Sequence, residues 1–219
     1  MLRGFNRGAL FAPLAAVGVI ALALLLGGCF FVSAIVDNLS RTREQTVVFH
    51  GMASKRQEIA RSLSAQLSWD EAVRHLDNHF DRAWARDNIG RFFHDTQGIA
   101  KSFVLDAGDR PLIASKGGRE APTAIFKPVQ PKVQAVIAQV RAAEAQRNRG
   151  GAVMTPLNDS LQSDTIALVD GVPYIFTATL VQPDFGTARI KGSKAPIVVT
   201  GMEIGKDFLA AFGRRYMLD

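Results

Sequence analysis

Cysteine is nearly absent from this chain of 219 residues, which contains only Cys29. One thiol cannot form a disulfide within the chain, so the fold does not depend on an oxidising compartment. Cys29 also lies inside an apolar segment, whereas a catalytic thiolate needs a polar, electropositive site. The sequence therefore excludes a disulfide framework and disfavours a cysteine nucleophile.

Catalytic motifs are also lacking. The chain contains no GxSxG, GxxxxGK, GxGxxG, HExxH or CxxC pattern. Asp70 and Glu71 are adjacent, so on a helix their side chains point about 100° apart and cannot act as a pair of carboxylates. We predict no enzymatic activity, no catalytic residues and no cofactor.

Clusters of basic residues are missing as well. The net charge of +6 comes from 26 Lys and Arg against 20 Asp and Glu, and the positive residues are spread along the chain. A nucleic-acid surface would group them with aromatic residues, so we predict no nucleic-acid partner. The hydrophobic content of 47% is that of a globular protein.

Residues 9–36 contain no charged side chain. This run is longer than the ~20 apolar residues that span a bilayer and exceeds the core of a signal peptide, about 7–15 residues. We predict a transmembrane helix over 9–36 and a cytoplasmic N-terminus over 1–8. Two alternatives stay open: cleavage of a signal peptide near residues 32–34, or lipidation of Cys29 in Leu-Gly-Gly-Cys.

The next segment, 37–66, is predicted to be a long membrane-proximal signalling helix. Apolar residues recur along it at spacings of four and seven. They are Val48, Met52, Ile59, Leu63 and Leu67. The same stripe would suit the seam of a parallel homodimer.

A second helix is predicted to begin at Ser68, because Glu71 three residues later would complete a capping box. Its buried side is predicted to consist of Trp69, Val73, Leu76 and Phe80. Glu71, His75 and His79 would share the opposite side. We interpret them as a solvated face, with a zinc site as the alternative, and we predict no metal.

From Lys101 onward the apolar period changes from helical to extended. The predicted strands are 102–106, 111–115, 165–169, 174–181 and 196–204. A basic loop is predicted at 116–119, a helix at 131–148 and a last helix at 206–216. This order predicts an α+β domain: a five-stranded antiparallel sheet covered by the N-terminal helices.

Several short motifs carry a resemblance to a known family. They are SWDEAV at 68–73 with Asp77 and Trp84, DNIG at 87–90, FVLD at 103–106, DGVPY at 170–174 and GMEI at 201–204. In this order they resemble the fourth subtype of the CHASE extracytoplasmic sensor domains, within the Cache, or extracellular PAS-like, superfamily. The resemblance covers about residues 38–219.

The resemblance implies a periplasmic sensor domain over 67–219, held in a bacterial inner membrane by one crossing in this chain. Basic residues flank residues 9–36 almost equally on both sides, so this orientation follows from the resemblance rather than from charge. By carry-over, the ligand-binding region would include Trp69, Asp70, Trp84, Asn88 and Tyr174. The resemblance implies a small-molecule ligand but does not identify it.

Sensor domains of this family control a cytoplasmic output, often a GGDEF or EAL domain of cyclic di-GMP turnover. Because this chain stops at Asp219, where the family has a second membrane helix, we expect a fragment of a diguanylate cyclase or phosphodiesterase receptor. The alternative is a membrane-tethered interaction or scaffold protein that senses nothing.

Overall fold

A computed structural model describes residues 46–150 and 160–216 of the chain. The predicted membrane helix 9–36, together with Cys29 and the cleavage alternative at 32–34, lies outside these residues. Within the two described ranges, no helix is both long enough and apolar enough to cross a membrane. The chain divides into two compact units after His50. Of the first unit, residues 46–50 are described, and they are helical.

The second unit is an α+β domain built on one antiparallel sheet, as predicted. Its helices are α1 (51–67), α2 (Asp70–Val73), α3 (Arg82–Ala85), α4 (Phe92–Gln97), α5 (Gln130–Gly150) and α6 (Lys206–Tyr216). Its strands are β1 (Ile99–Leu105), β2 (Pro111–Lys116), β3 (Arg119–Ala121), β4 (Gln162–Val169), β5 (Val172–Leu180) and β6 (Ile197–Glu203). The sheet order is β3-β2-β1-β6-β5-β4.

The sheet has six strands, so the predicted number of five is wrong. The additional strand, β3, forms a hairpin with β2 where a basic loop was predicted at 116–119. Gly117 and Gly118 connect these strands with φ values of 57° and 72°. Two successive positive φ values suit the turn that joins two twisted strands, and glycine adopts them without steric cost.

The predicted capping box at Ser68 is also wrong. The residue before α2 is Trp69, and no side chain caps this helix. Ser68 instead forms a parallel bridge with Gln182, whose amide Nε2 donates a 3.0 Å hydrogen bond to the Ser68 hydroxyl. Ser68 is therefore fixed by a distant part of the chain rather than by its own helix.

The helices between α2 and β1 are interrupted by wider turns. α2 runs directly into a π-helical turn at Arg74–Asn78, and α3 runs through a second one at Arg86–Arg91 into α4. Each π turn shifts the hydrogen bonding by one residue. This rotates the following side chains relative to the regular helix on which the predicted buried side was based.

Helices cover both faces of the sheet. On one face α1 to α4 bury Leu63, Val73 and Phe93 against Ile175 and Val198. On the other face, α5 and the 3₁₀ turn Thr123–Phe126 pack over the sheet. The residues that they bury there include Phe103, Val133, Ile137 and Phe176. We call these the α1 face and the α5 face.

Candidate functional site

Trp69 and Trp84 lie together on the outside of the helical layer. Their ring centroids are 6.3 Å apart, and the ring of His75 stacks on Trp84 at 5.0 Å with an interplanar angle of 4°. The two His75 nitrogens lie 3.5 Å from a Glu71 oxygen and 3.3 Å from an Asp81 oxygen. Trp69 is 37% exposed, so its predicted place in the core is wrong. The group is a surface cluster of rings and carboxylates.

The zinc alternative required His79 beside Glu71 and His75. The π turn ends at Asn78, and the backbone of His79 is extended, with φ −145° and ψ 100°. His79 therefore leaves the helical period that would align it with the other two. Across 46–150 and 160–216, no three His, Cys, Asp or Glu side chains are placed to hold a metal ion.

Asp70 is a buried carboxylate whose oxygens already accept hydrogen bonds from other residues of the domain. It is 4% exposed and accepts hydrogen bonds from the backbone N–H groups of Asp184 at 3.0 Å and Thr187 at 2.9 Å, and from the Thr187 hydroxyl. Burial would raise the pKa of Asp70, but hydrogen bonds from Thr187, Asp184 and Ala188 outweigh it, so the pKa lies below the ordinary value. Asp70 thus holds the segment between β5 and β6 against the start of α2.

Asn88 is likewise engaged within its own helix. Its side-chain amide donates a 3.0 Å hydrogen bond to the carbonyl oxygen of Trp84, one turn earlier. This contact ties the π turn at Arg86–Arg91 to the helix that carries the Trp84 ring.

Tyr174 is not brought together with the other four predicted residues. It lies on β5 among the buried residues of the α5 face, whereas Trp84 packs against the core of the α1 face. Its hydroxyl donates a 3.4 Å hydrogen bond to Glu203 Oε2. Burial and the charge of Glu203 raise the pKa of Tyr174. The five residues therefore belong to two separate places in the domain.

The space between the sheet and its covering helices is closed beside Gly90. A cavity of about 10 Å³ remains there, lined by residues that include Ile89 and Ser115. A Cβ atom on Gly90 would lie 3.0 Å from the Ser115 hydroxyl oxygen, so the helix and β2 are in close contact. This volume corresponds to about one water molecule. A ligand between these elements would have to separate them.

A cavity of about 500 Å³ lies at the end of the sheet, between α1, the α4–β1 corner and the start of α6. Its volume is in the range typical of small-molecule sites. Its polar lining comprises Lys55, Gln97, Glu203, Lys206 and Asp207, and its apolar lining comprises Met202, Phe208 and Ala211. The Oε1 atom of Gln97 is buried and has no hydrogen-bond partner among the described residues. The cavity thus offers side chains of both charge signs.

No motif in the sequence marks this lining as a site. Lys55, Lys206 and Asp207 have the pattern of ordinary exposed helix residues, and nothing local shows that three distant segments meet. Two glycines are the available signal. Gly98 ends α4 with φ 70°, and Gly205 separates β6 from α6.

α6 packs closely on α1 beside the cavity. A Cβ atom on Gly51 would lie 2.7 Å from the ring of Phe212 and 3.0 Å from the ring of Tyr216. Phe208, Phe212 and Tyr216 form a row of contacting rings along α6, with successive centroid distances of 5.9 and 4.7 Å. Arg215 forms a 2.7 Å ion pair with Glu58 on α1. The absence of a side chain at Gly51 allows this contact.

These features define an α+β domain: an antiparallel sheet covered on both faces, with a polar cavity against its first and last helices. The chain belongs to the CHASE4 domain family, whose model matches residues 52–219 and therefore most of the sequence. CHASE4 is an extracellular sensor-type domain. The predicted membership in this family is confirmed. No curated protein matches the chain.

Proposed function

We propose that this chain is the ligand-sensing input module of a membrane receptor, and that the 500 Å³ cavity is where the ligand binds. The observation that carries the proposal is that the cavity is bordered by both α1 and α6. A ligand there contacts the first and last helices of the domain at once. Its binding can therefore change how α6 packs on α1.

The chemistry of the cavity favours a small polar molecule. Lys55 and Lys206 provide positive charge, and Glu203 and Asp207 provide negative charge. The apolar lining would exclude water from the remainder of the ligand. A ligand shifts the packing of α6 on α1 only by its difference in affinity for the two arrangements, which is typically worth about 1–3 kcal/mol.

We further propose that residues 9–36 anchor the domain in a bacterial inner membrane, with residues 1–8 in the cytoplasm and the sensor in the periplasm. α1 would pair with its counterpart in a homodimer. The output would be cyclic di-GMP turnover by a GGDEF or EAL domain, as the family resemblance implies. Reading the coding DNA beyond codon 219 tests this output: an apolar segment followed by such a domain would support it, and an immediate stop codon would contradict it.

A ligand screen tests the sensing proposal. Thermal unfolding of the purified full chain is measured against amino acids, organic acids, nucleobases and divalent cations. A compound that binds the folded domain at ten times its Kd is expected to raise Tm by about 3–6 °C. The matched variant is Ala211→Trp, which fills the cavity and should abolish the rise, whereas the exposed Ala53→Trp on α1 should retain it.

A scaffold protein would give a different result. If no compound in the four classes raises Tm, or if Ala211→Trp responds as the unmodified chain does, the cavity is not a ligand site.

A further inference from the structure

A second cavity lies at the other end of β1 and β6 from the sensing cavity. It has a volume of about 340 Å³ and is bordered by the π turn Arg74–Asn78, the turn between β1 and β2, and the segment 181–196 between β5 and β6. The sensing cavity is lined where β1 begins and β6 ends, whereas this one is lined where β1 ends and β6 begins. A strand of this length spans about 20 Å. The two cavities share none of their described lining residues and are therefore separate sites.

The floor of the second cavity is apolar. It is lined by Leu76 and Pro196, which are buried, and by Phe80 and Leu112, which are half-buried. The volume of the cavity is in the range typical of small-molecule sites. A bound apolar group would remove the remaining surface of Phe80 and Leu112 from water, which favours binding.

The segment between β5 and β6 carries the cationic side chains of the lining, and its backbone is held at two points. The N–H group of Lys191 donates a 2.6 Å hydrogen bond to Asp77 in the π turn. The N–H group of Ala195 donates a 2.6 Å hydrogen bond to the buried Glu144 of α5, and its carbonyl oxygen accepts one of 2.7 Å from Arg141. The segment is thus fixed before a ligand binds, so binding costs less conformational entropy.

The charged side chains of the lining differ in whether they already have partners. Asp106 accepts hydrogen bonds from the backbone N–H of Arg110 at 2.9 Å and from its guanidinium at 3.0 Å. Asp77 accepts the N–H of Lys191. The ammonium groups of Lys191 and Lys194 are exposed and form no hydrogen bond or ion pair with the residues that the structure describes. The lining therefore offers two unpaired cations above an apolar floor.

We propose that this cavity binds a small monocarboxylate with an apolar body, such as an aromatic acid. Its carboxylate accepts hydrogen bonds from Lys191 and Lys194, and such charge-assisted hydrogen bonds are stronger than neutral ones. Its apolar body lies on Phe80 and Leu112. This site goes beyond the proposed sensing cavity, because it lies at the other end of the sheet and does not involve α1 or α6 in its described lining.

The two carboxylates at the rim set the charge of the ligand. Asp77 and Asp106 stay negatively charged beside the bound molecule and disfavour a second negative charge on it. A small inorganic anion would leave the floor exposed to water. A cationic ligand would place its charge beside the two ammonium groups.

Benzoate is the probe for this site. Thermal unfolding of the purified full chain is compared in sodium benzoate and in sodium chloride at equal ionic strength and neutral pH, so that general screening is the same. Benzoate at ten times its Kd is expected to raise Tm by about 3–6 °C over chloride. Acetate, which lacks the ring, and benzylamine, which carries the ring with a positive charge, should give no rise at the same concentration.

Three variants locate the binding of benzoate. Lys191→Met and Lys194→Met should each raise its Kd about tenfold, so that the rise at the same concentration falls to about a third. Ala107→Trp, on the exposed turn between β1 and β2, fills the cavity and should abolish the rise. Lys132→Met is the matched control, because it removes the same charge from an exposed position on α5, and it should respond as the unmodified chain does.

The results that would overturn this site differ from those that would overturn the sensing cavity. No rise with benzoate, or an unchanged rise in Ala107→Trp or in both lysine variants, would overturn the site. An equal rise with benzylamine or acetate would overturn the assignment to an apolar monocarboxylate. Ala211→Trp fills the sensing cavity and should leave the benzoate response intact. Loss of that response in Ala211→Trp would place benzoate in the sensing cavity and would overturn the second site.

Discussion

Asp70→Asn is expected to lower the free energy of unfolding by about 3 kcal/mol, since hydrogen bonds to a charged group contribute about 1.5–3 kcal/mol each. The Asp70 carboxylate accepts from two backbone N–H groups and one hydroxyl. An asparagine keeps one acceptor oxygen and turns an NH₂ group toward these donors. The segment that contains Asp184 and Thr187 would then lose its attachment to α2.

Urea unfolding, followed by tryptophan fluorescence, measures this loss. Asp95→Asn is the matched control, because Asp95 is an exposed aspartate on α4. Such a surface change should stay within about 0.5 kcal/mol of the unmodified chain. Equal stabilities for Asp70→Asn and Asp95→Asn would show that the Asp70 contacts do not stabilise the fold.

The Asp70 contribution should also depend on pH. The pKa of Asp70 in the folded domain lies below the ordinary aspartate value of 3.8. As the pH falls, the unfolded chain therefore takes up a proton before the folded one does. The stabilisation is complete above the unfolded pKa and is lost as the pH falls through the folded pKa. The difference between the unmodified chain and Asp70→Asn should thus be constant near neutrality and should shrink below about pH 4.

Elements with strong local signals were predicted close to their observed bounds. The last helix was predicted over 206–216 and is observed as Lys206–Tyr216. The Asp170-Gly171 turn between β4 and β5 was also predicted, and both residues have positive φ. The turn at Gly117 and Gly118 carried a similar signal. Its flanking Lys and Arg, however, favour a solvated basic loop over a strand.

The failure at Ser68 has a different cause. A capping box is a local pattern of Ser and Glu three residues apart, and this segment contains it. The Ser68 hydroxyl is instead hydrogen-bonded to the Gln182 side chain at 3.0 Å and to the Ser160 hydroxyl at 2.6 Å. Both partners are about a hundred positions away in the chain. Local spacing cannot reveal such a competitor.

The sequence of β5 does not show on which face of the sheet Tyr174 lies. A strand with one covered face alternates between apolar and polar residues, and this alternation shows which residues share a face. β5 is covered on both faces and is buried without interruption from Tyr174 to Leu180. No alternation marks its two faces. The family resemblance could therefore suggest Tyr174 as a site residue but not the face on which it lies.

Gly51→Leu is expected to detach α6 from α1. The new side chain would occupy the space of the Phe212 and Tyr216 rings, which a Cβ atom alone would approach to 2.7 and 3.0 Å. Loss of this aromatic packing costs about 3 kcal/mol. The substitution also stabilises the helix by about 0.8 kcal/mol, because leucine has a higher helix propensity than glycine. Packing therefore outweighs helix propensity, and a net loss of about 2 kcal/mol is expected.

Trypsin cleavage after Arg214 and Arg215 measures the detachment directly. Arg215 is held by Glu58 while α6 is in place. A loss of about 2 kcal/mol should raise the open population, and with it the rate of cleavage, roughly 30-fold. Ala53→Leu, on the exposed side of α1, adds the same side chain without touching α6 and should leave the rate unchanged. If Gly51→Leu is cleaved no faster than Ala53→Leu, then Gly51 does not hold α6 against α1, and this contact cannot transmit the occupancy of the cavity.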